Sequence, residues 1–226
     1  MAPRVGVVRF PGSNCEFDSI EAVEHLGGTG VLLWHDDTDL SGVDAVIIPG
    51  GFAHGDYLRP GAIARFSPIM GAVGRFAADG GPVVGICNGF QVLTEAGLLP
   101  GALQKNNGLK FRCAMAEIQI ETSDSILTNQ VPVGTIARIP INHFEGNYTC
   151  DAETLAELQA EDRIVFRYVN NPNGSVDHIA GICSAGRNVV GLMPHPERAC
   201  HELLGSTDGV GLIGSLLSAA RAGVGA

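Results

Sequence analysis

The sequence predicts an α/β fold with a mostly parallel sheet, helices on both faces and an antiparallel extension. In the first half, short apolar runs rich in β-branched residues alternate with segments of helical length, as in parallel strands joined by helices. In the second half, apolar runs follow one another across polar turns, which favours antiparallel pairing. The 226 residues are 45% hydrophobic and 17% charged, so the chain can bury a core. This length predicts one domain, residues 1–226.

Each predicted strand of the first half is a largely apolar run, as expected for a strand covered on both faces. The first run leads into Pro11-Gly12-Ser13-Asn14 and the third into Pro49-Gly50-Gly51, which are turn sequences. Apolar residues at helical spacing mark the segments between the strands. The predicted strands are residues 5–10, 31–35, 44–48 and 82–86, and the predicted helices are residues 17–26, 63–78 and about 88–96.

The second half predicts a partly antiparallel arrangement and a closing helix. The turn sequence Asn171-Pro-Asn-Gly between two apolar runs is a hairpin signal. The predicted strands are residues 116–120, 164–169, 179–183 and 189–193, and the predicted closing helix is residues 209–222.

Charge and cysteine usage exclude several classes of function. The net charge is −10 and the only lysines are Lys105 and Lys110, so binding to nucleic acid or to an anionic membrane is disfavoured. We expect a cytoplasmic protein, because no signal peptide and no apolar run of about 20 residues is present. The six cysteines form no CxxC pair, which indicates thiols, and no clustered metal ligands are found, so we expect no metal.

The candidate nucleophile is Cys87. A buried strand leads directly into Gly85-Ile86-Cys87-Asn88-Gly89, and a helix follows. This is a nucleophile elbow with cysteine in place of serine, in which the two glycines permit a sharp turn that exposes the sulfur. The positive end of the helix favours a thiolate, and the backbone N–H of Asn88 points to where an oxyanion would form. The other five cysteines lack this context and are interpreted as core or surface thiols.

The candidate base is His195, with Glu197 as its orienting carboxylate. Both residues follow an apolar strand in Met193-Pro194-His195-Pro196-Glu197. The prolines favour extended backbone, which would place the two side chains on one face. A carboxylate there would fix the imidazole tautomer. His143 near Glu145 is the main competitor among the other histidines.

A second oxyanion donor is predicted at Gly51. The Gly50-Gly51 pair ends a predicted strand, and glycines there let backbone N–H groups approach a bound carbonyl. Taken alone, the dipeptide is also compatible with an ordinary turn.

These residues resemble the class I (triad) glutamine amidotransferases. The Cys87 elbow and Pro194-His-Pro-Glu197 are common to that family, which has a flavodoxin-like glutaminase fold. The resemblance extends from Val5 to about Gly214. It is closer still to one branch, the glutaminase subunits that serve formylglycinamide ribonucleotide amidation in purine biosynthesis. The stretches that indicate this branch are Arg9–Cys15, Pro49–Arg59, Gly61–Arg65, Gly97–Ala102, Tyr168–Ser175 and Met193–Arg198.

The resemblance implies that glutamine is hydrolysed to glutamate and ammonia. Cys87 would attack the side-chain amide, His195 would transfer protons and Glu197 would orient the imidazole, with Gly51 and Asn88 as oxyanion donors. The implied glutamine-binding positions are Gly50, Gln91, Asn142 and His143. A departure follows them, because the family favours a small residue where this chain has Phe144.

The implied partner is a large synthetase subunit that receives the ammonia, together with a small third subunit. ATP and Mg²⁺ are expected on the synthetase, because this chain contains no G-x-x-x-x-G-K-[ST] phosphate-binding loop. We expect no cofactor in this chain itself.

Three alternatives stay open at the level of sequence. Related cysteine-elbow hydrolases of the deglycase or intracellular-peptidase type commonly place histidine directly after the nucleophile, whereas this chain has Asn88. A glutaminase could serve another acceptor. A non-catalytic binding subunit could retain the fold, although all three triad residue types are present.

Overall fold

The computed structural model describes residues 1–223, which form eleven strands and five α-helices. The strands are β1 (Arg4–Arg9), β2 (Thr29–Trp34), β3 (Ala45–Ile48), β4 (Val83–Ile86), β5 (Ala102–Gln104), β6 (Arg112–Ile120), β7 (Ile136–His143), β8 (Asn147–Thr149), β9 (Ile164–Tyr168), β10 (Ile179–Cys183) and β11 (Val189–Leu192). The helices are α1 (Glu16–His25), α2 (Pro68–Ala78), α3 (Asn88–Glu95), α4 (Ala152–Ala160) and α5 (Val210–Gly223).

Nine strands form one sheet, in the order β2-β1-β3-β4-β11-β10-β9-β6-β7. The pairings from β2 to β11 are parallel, and those from β11 to β7 are antiparallel. The parallel half has the flavodoxin-like order 2-1-3-4-5, with β11 in the fifth position. The predicted α/β fold with a parallel sheet and an antiparallel extension is therefore confirmed.

The helices pack against the parallel half in two groups. Helices α1 and α5 contact each other and strand β1, while α3 contacts β3, β4 and β11. Glycines permit the close approach: a Cβ at Gly28 would lie 2.8 Å from a Val23 methyl of α1 and 2.9 Å from a Leu217 methyl of α5. The three strands β3, β4 and β11 are neighbours, so the residues that follow them meet at one edge of the sheet.

The predicted continuous helix over residues 63–78 is wrong. A short 3-10 turn at Ala64–Phe66 is separated from α2, which begins at Pro68. Ser67 is extended, with ψ of 140°. The reason is local, because a proline disfavours helical backbone in the residue before it and is well suited to the first helical position.

The sequence interpretation also missed β5, β7, β8 and α4 and made β6 too short. Strand β7 lies at the edge of the sheet, where Pro140 is tolerated because no further strand needs its missing N–H. Helix α4 begins after Asp151, whose side chain accepts a hydrogen bond from Thr154 N at 2.8 Å. The hairpin signal at Asn171-Pro-Asn-Gly is confirmed, since it connects the antiparallel strands β9 and β10.

Candidate active site

Cys87 occupies a sharp corner between β4 and α3. Its backbone has φ of 52° and ψ of −104°, a conformation that is strained for a non-glycine residue. Its N–H donates to the Leu192 carbonyl at 2.8 Å, which fixes the corner to β11. A Cβ at Gly85 would lie 2.6 Å from the Gly89 carbonyl oxygen, and one at Gly89 would overlap the Ile48 carbonyl. The two flanking glycines are therefore required by space.

His195 and Glu197 form a buried pair just beyond β11. Glu197 Oε1 lies 2.7 Å from His195 Nδ1, and the residues are 2% and 1% exposed, respectively. The backbone differs from the predicted extended segment, because Pro196–Ala199 form a 3-10 turn. Pro196 favours that turn, since a proline suits its first position. The carboxylate nevertheless meets the imidazole as the sequence indicates.

The electrostatics of the pair favour proton uptake by the imidazole. Burial alone lowers the pKa of His195, but the neighbouring Glu197 carboxylate and Cys87 sulfur outweigh it and hold that pKa well above its ordinary value. His195 Nε2 has no hydrogen-bond partner among residues 1–223 and is buried. The second ring nitrogen is thus free for a proton in transit between the Cys87 sulfur and a substrate.

Gly50 and Gly51 continue β3 and lie against the loop between β1 and α1. Asn14 N donates to the Gly50 carbonyl at 3.2 Å, and Phe52 N donates to the Gly12 carbonyl at 2.9 Å. Gly51 has φ of 146°, and a Cβ there would lie 2.6 Å from Asn14 N. These two hydrogen bonds do not use the N–H of Gly51, so this donor is available at the same sheet edge as Cys87.

Asn88 contributes a side-chain network as well as the first N–H of α3. Its Oδ1 accepts from Ala53 N at 3.0 Å, and its Nδ2 donates to Gln91 Oε1 at 2.9 Å and to Asp56 Oδ1 at 3.2 Å. Burial raises the pKa of the Asp56 carboxyl to about 6, with the Asn88 hydrogen bond opposing the shift and the Glu145 carboxylate adding to it. The network joins the segment after Gly51 to the helix that begins at Cys87. Sequence reasoning used only the backbone of Asn88 and missed this role.

Two of the predicted glutamine-binding residues, Asn142 and Gln91, contact Cys87 directly. The Cys87 thiol donates to the Asn142 carbonyl at 3.7 Å. Gln91 is buried, and its amide donates to the Glu145 carbonyl while accepting from Asn88. Its side chain therefore links the start of α3 to the segment that follows β7.

His143 is buried, and its side chain is paired with Asn106 rather than with Glu145. Its Nδ1 lies 3.1 Å from Asn106 Oδ1, and burial lowers its pKa to about 4. Asn106 also bonds to the His143 carbonyl at 2.9 Å and to Gly146 N at 3.1 Å. Phe144, the departure from the family pattern, is half-buried with Lys105 Nζ 5.9 Å from its ring centre.

Cys15 is the neighbour of the pair that the sequence interpretation missed. Its sulfur, a nitrogen of His195 and a carboxylate oxygen of Glu197 all lie within 4.8 Å of one another. Sulfur, imidazole and carboxylate are ligand types of Zn²⁺, yet Nδ1 and Oε1 are already bonded to each other. The signal was present in the sequence, because Cys15 ends one of the stretches that carry the family resemblance.

A thiol on a strand-to-helix elbow and a His–Glu pair at the same edge of a flavodoxin-like sheet define the class of the triad glutamine amidotransferases. The model of the CobB/CobQ-like glutamine amidotransferase domain matches residues 2–208, and the chain belongs to this family.

The curated relatives specify the branch within that family. Subunit PurQ of phosphoribosylformylglycinamidine synthase from Rubrobacter xylanophilus is 58% identical, over 96% of this chain and 99% of the relative. The same subunit from Koribacter versatilis is 53% identical, over 96% and 98%. The solved structure of PurLQS from Thermotoga maritima contains a chain that is 42% identical with a TM-score of 0.89, over 96% of this chain and 99% of that one. The resemblance seen in the sequence is confirmed.

Proposed function

We propose that this chain is the glutaminase subunit of a phosphoribosylformylglycinamidine synthase. It hydrolyses glutamine to glutamate and ammonia through Cys87, His195 and Glu197. It delivers the ammonia to an ATP-dependent synthetase subunit that converts formylglycinamide ribonucleotide to formylglycinamidine ribonucleotide. The observation that carries this proposal is the buried His195–Glu197 pair, bonded at 2.7 Å, beside the Cys87 elbow in a chain 58% identical to a PurQ subunit.

The first half of the reaction forms a thioester. The Cys87 sulfur attacks the side-chain carbonyl carbon of glutamine, and His195 takes up the thiol proton. The N–H groups of Gly51 and Asn88 stabilise the oxyanion of the tetrahedral intermediate. When the intermediate collapses, the C–N bond breaks and His195 returns the proton to the departing nitrogen, which leaves as ammonia.

The second half restores the enzyme. Water attacks the thioester carbonyl, and His195 accepts one of its protons. The same oxyanion donors stabilise the second tetrahedral intermediate, and the C–S bond then breaks. Cys87 recovers its proton, and glutamate leaves. Glu197 accepts the hydrogen bond from His195 Nδ1 and stabilises the imidazolium form of the ring, in the manner of the third member of a hydrolase triad.

The partner completes the reaction. The relatives are named as subunits of one synthase, and the Thermotoga maritima structure is named PurLQS, which supports assembly with a large synthetase subunit and a small third subunit. We assign ATP and Mg²⁺ to the synthetase, in accord with the acidic composition of this chain and its two lysines.

The location we propose is the cytoplasm, where the acceptor ribonucleotide would be made. Within residues 1–223, no helix combines the length and apolar character needed to cross a membrane. Tracking a fluorescent fusion in intact cells, with the synthetase subunit labelled in a second colour, tests this location.

The test of function is reconstitution with the synthetase and small subunits from the same genome. We expect formylglycinamidine ribonucleotide to form from glutamine with the wild-type chain. With Cys87→Ala, we expect product from added ammonium chloride but none from glutamine. Release of ammonia from glutamine by the wild-type chain, with product formed from ammonium chloride but not from glutamine, would mean that this glutaminase serves another acceptor. Equal glutamine-dependent rates for wild type and Cys87→Ala would identify a non-catalytic subunit.

A further inference from the structure

The backbone of Cys15 is fixed on both sides. It lies in the loop between β1 and α1, directly before the helix, and is 3% exposed. Its N–H donates to the Gly50 carbonyl at 3.1 Å, and its own carbonyl accepts from Ser19 N at 3.0 Å and Ser19 Oγ at 2.8 Å. The backbone of Cys15 is therefore held by Gly50, in the segment after β3, and by the first turn of α1.

The thiol and the imidazole both lie close to Gly50. A Cβ placed on Gly50 would lie 3.1 Å from Cys15 Sγ and 2.7 Å from His195 Cε1. The sulfur is also within 4.8 Å of a His195 nitrogen and a Glu197 oxygen. Gly50 therefore leaves room for both the sulfur and the ring, and a side chain at position 50 would force one of them to move.

The chemistry of Cys15 suits support rather than attack. Burial raises the pKa of its thiol, although the neighbouring His195 imidazole opposes the shift, so the group is uncharged at neutral pH. An uncharged thiol is a weak donor and a polarisable packing group. It can fill the space beside the ring while Glu197 keeps its hydrogen bond to Nδ1.

We propose that Cys15 is a positioning residue for glutamine hydrolysis. It holds the His195 imidazole against Glu197. Through Gly50, it also links the ring to the segment after β3 that carries the oxyanion donor Gly51. This inference rests on the proposed function. It goes beyond that function because it predicts that a second thiol, on a different loop from Cys87, sets the rate of proton transfer without touching glutamine.

The test compares Cys15→Ala and Cys15→Ser with wild type in the assembled complex with the synthetase. For Cys15→Ala, we expect kcat for glutamine hydrolysis to fall by about 10- to 100-fold, because the ring is free to leave its productive position. The KM for glutamine should change less than about twofold, since the proposal gives Cys15 no contact with glutamine. Serine is a similar size and retains weak contact with the ring, so Cys15→Ser should recover most of the lost kcat.

Cys183→Ala is the matched control, because Cys183 is a buried thiol remote from the triad in β10. It should lower the Tm while leaving kcat unchanged. Unchanged kcat in Cys15→Ala would overturn the inference. So would a joint loss of kcat, glutamine affinity and Tm in both Cys15 variants, which would indicate a structural role only. The wild-type rate of glutamine hydrolysis tests the proposed function separately. A wild-type complex that does not hydrolyse glutamine would refute that function.

Discussion

At the scale of single residues, Cys87 differs from the other five cysteines in its place in the fold. Cys87 stands on a strained corner and raises the pKa of His195, whereas the pKa values of Cys15, Cys150, Cys183 and Cys200 are raised by burial. Raised thiol pKa values mean little thiolate near neutral pH, and the thiolate is the reactive form. These four buried thiols are therefore poor nucleophiles, whereas Cys87 has His195 beside it to take up its proton.

We therefore predict that a glutamine-mimicking electrophile, such as a diazoketone analogue of glutamine, labels one thiol. Peptide mapping by mass spectrometry should place the adduct on Cys87, and free glutamine should slow its formation. The exposed Cys113 lies within β6 rather than on a strand-to-helix elbow and should stay unmodified. Cys87→Ser should take up no label. An adduct on Cys15 or Cys183 would contradict the assignment of the nucleophile.

A second residue-scale prediction concerns His143 and acid. Its folded-state pKa of about 4 lies below the unfolded value of 6.5, so between these pH values the unfolded chain binds a proton that the native protein does not. Stability contributed by the neutral ring is complete above pH 6.5 and is lost as pH falls toward 4. The loss is about 3 kcal/mol.

The measurement is the free energy of unfolding by urea at pH 7 and at pH 4.5, for wild type and for His143→Gln. Wild type should lose about 2–3 kcal/mol more than the variant, because glutamine takes up no proton. Parallel losses in the two proteins would show that His143 is not the group that titrates.

At the scale of elements, the site is built where three neighbouring strands end. Strand β3 leads to Gly51, β4 to Cys87 and β11 to His195, and all three lie side by side in the parallel half of the sheet. The loop between β1 and α1 braces this edge through the Ser13–Gly51 bridge. Movement of that loop therefore moves the oxyanion donor.

Gly51→Ala tests this arrangement. The added Cβ would lie 2.6 Å from Asn14 N and 2.8 Å from Ser13 Cα, at a φ of 146° that disfavours alanine. We expect kcat for glutamine hydrolysis to fall by about 10²- to 10³-fold and stability to fall by about 1–3 kcal/mol. Steady-state kinetics and urea unfolding measure the two effects.

Gly80→Ala is the control for backbone strain alone. Gly80 has φ of 86°, but an added Cβ there meets nothing within 4 Å. It should cost about 1 kcal/mol and leave kcat unchanged. Equal kcat values for Gly51→Ala and wild type would rule out Gly51 as an oxyanion donor.

At the scale of the whole molecule, the segment after Gly51 connects the site to an exposed apolar surface. Phe52, Tyr57 and Leu58 are exposed, and His54, Asp56 and Leu58 have positive φ. Such conformations are strained, by about 1–3 kcal/mol each, and persist only where contacts hold them. Because Asn88 ties this segment to α3, contact with the synthetase there would be transmitted to the oxyanion donors.

We predict slow glutamine hydrolysis by the isolated chain and a rise of at least about tenfold when synthetase, ATP and the acceptor ribonucleotide are added. Leu58→Ser should reduce that rise by about fivefold or more and leave the basal rate unchanged. Leu203→Ser is the matched control, since the two leucines are 91% and 90% exposed. Coupled assays for glutamate follow the rates. A fast basal rate that the synthetase leaves unchanged would contradict this form of control.

Most of the fold and the triad were predictable because their signals are local. Apolar runs mark β1, β3 and β4, two glycines mark the Cys87 elbow, and the spacing of His195 and Glu197 allows their contact in either an extended or a 3-10 backbone. Strand β7 escaped prediction because Pro140 disfavours a strand unless that strand lies at a sheet edge. Edge position is a property of the sheet, not of the segment.

Local chemistry therefore predicted the α/β fold class, the elements of the parallel half and the candidate nucleophile with its candidate base. Tertiary packing alone brought Cys15 against His195, tied Asn88 to Asp56 and buried His143 against Asn106. These contacts join loops and helices that are distant in the chain, and they depend on the register of the sheet and on the close approach that Gly50 and Gly51 permit. Sequence patterns report which residues favour a helix, strand or turn, whereas only the folded sheet determines which loops meet at its edge.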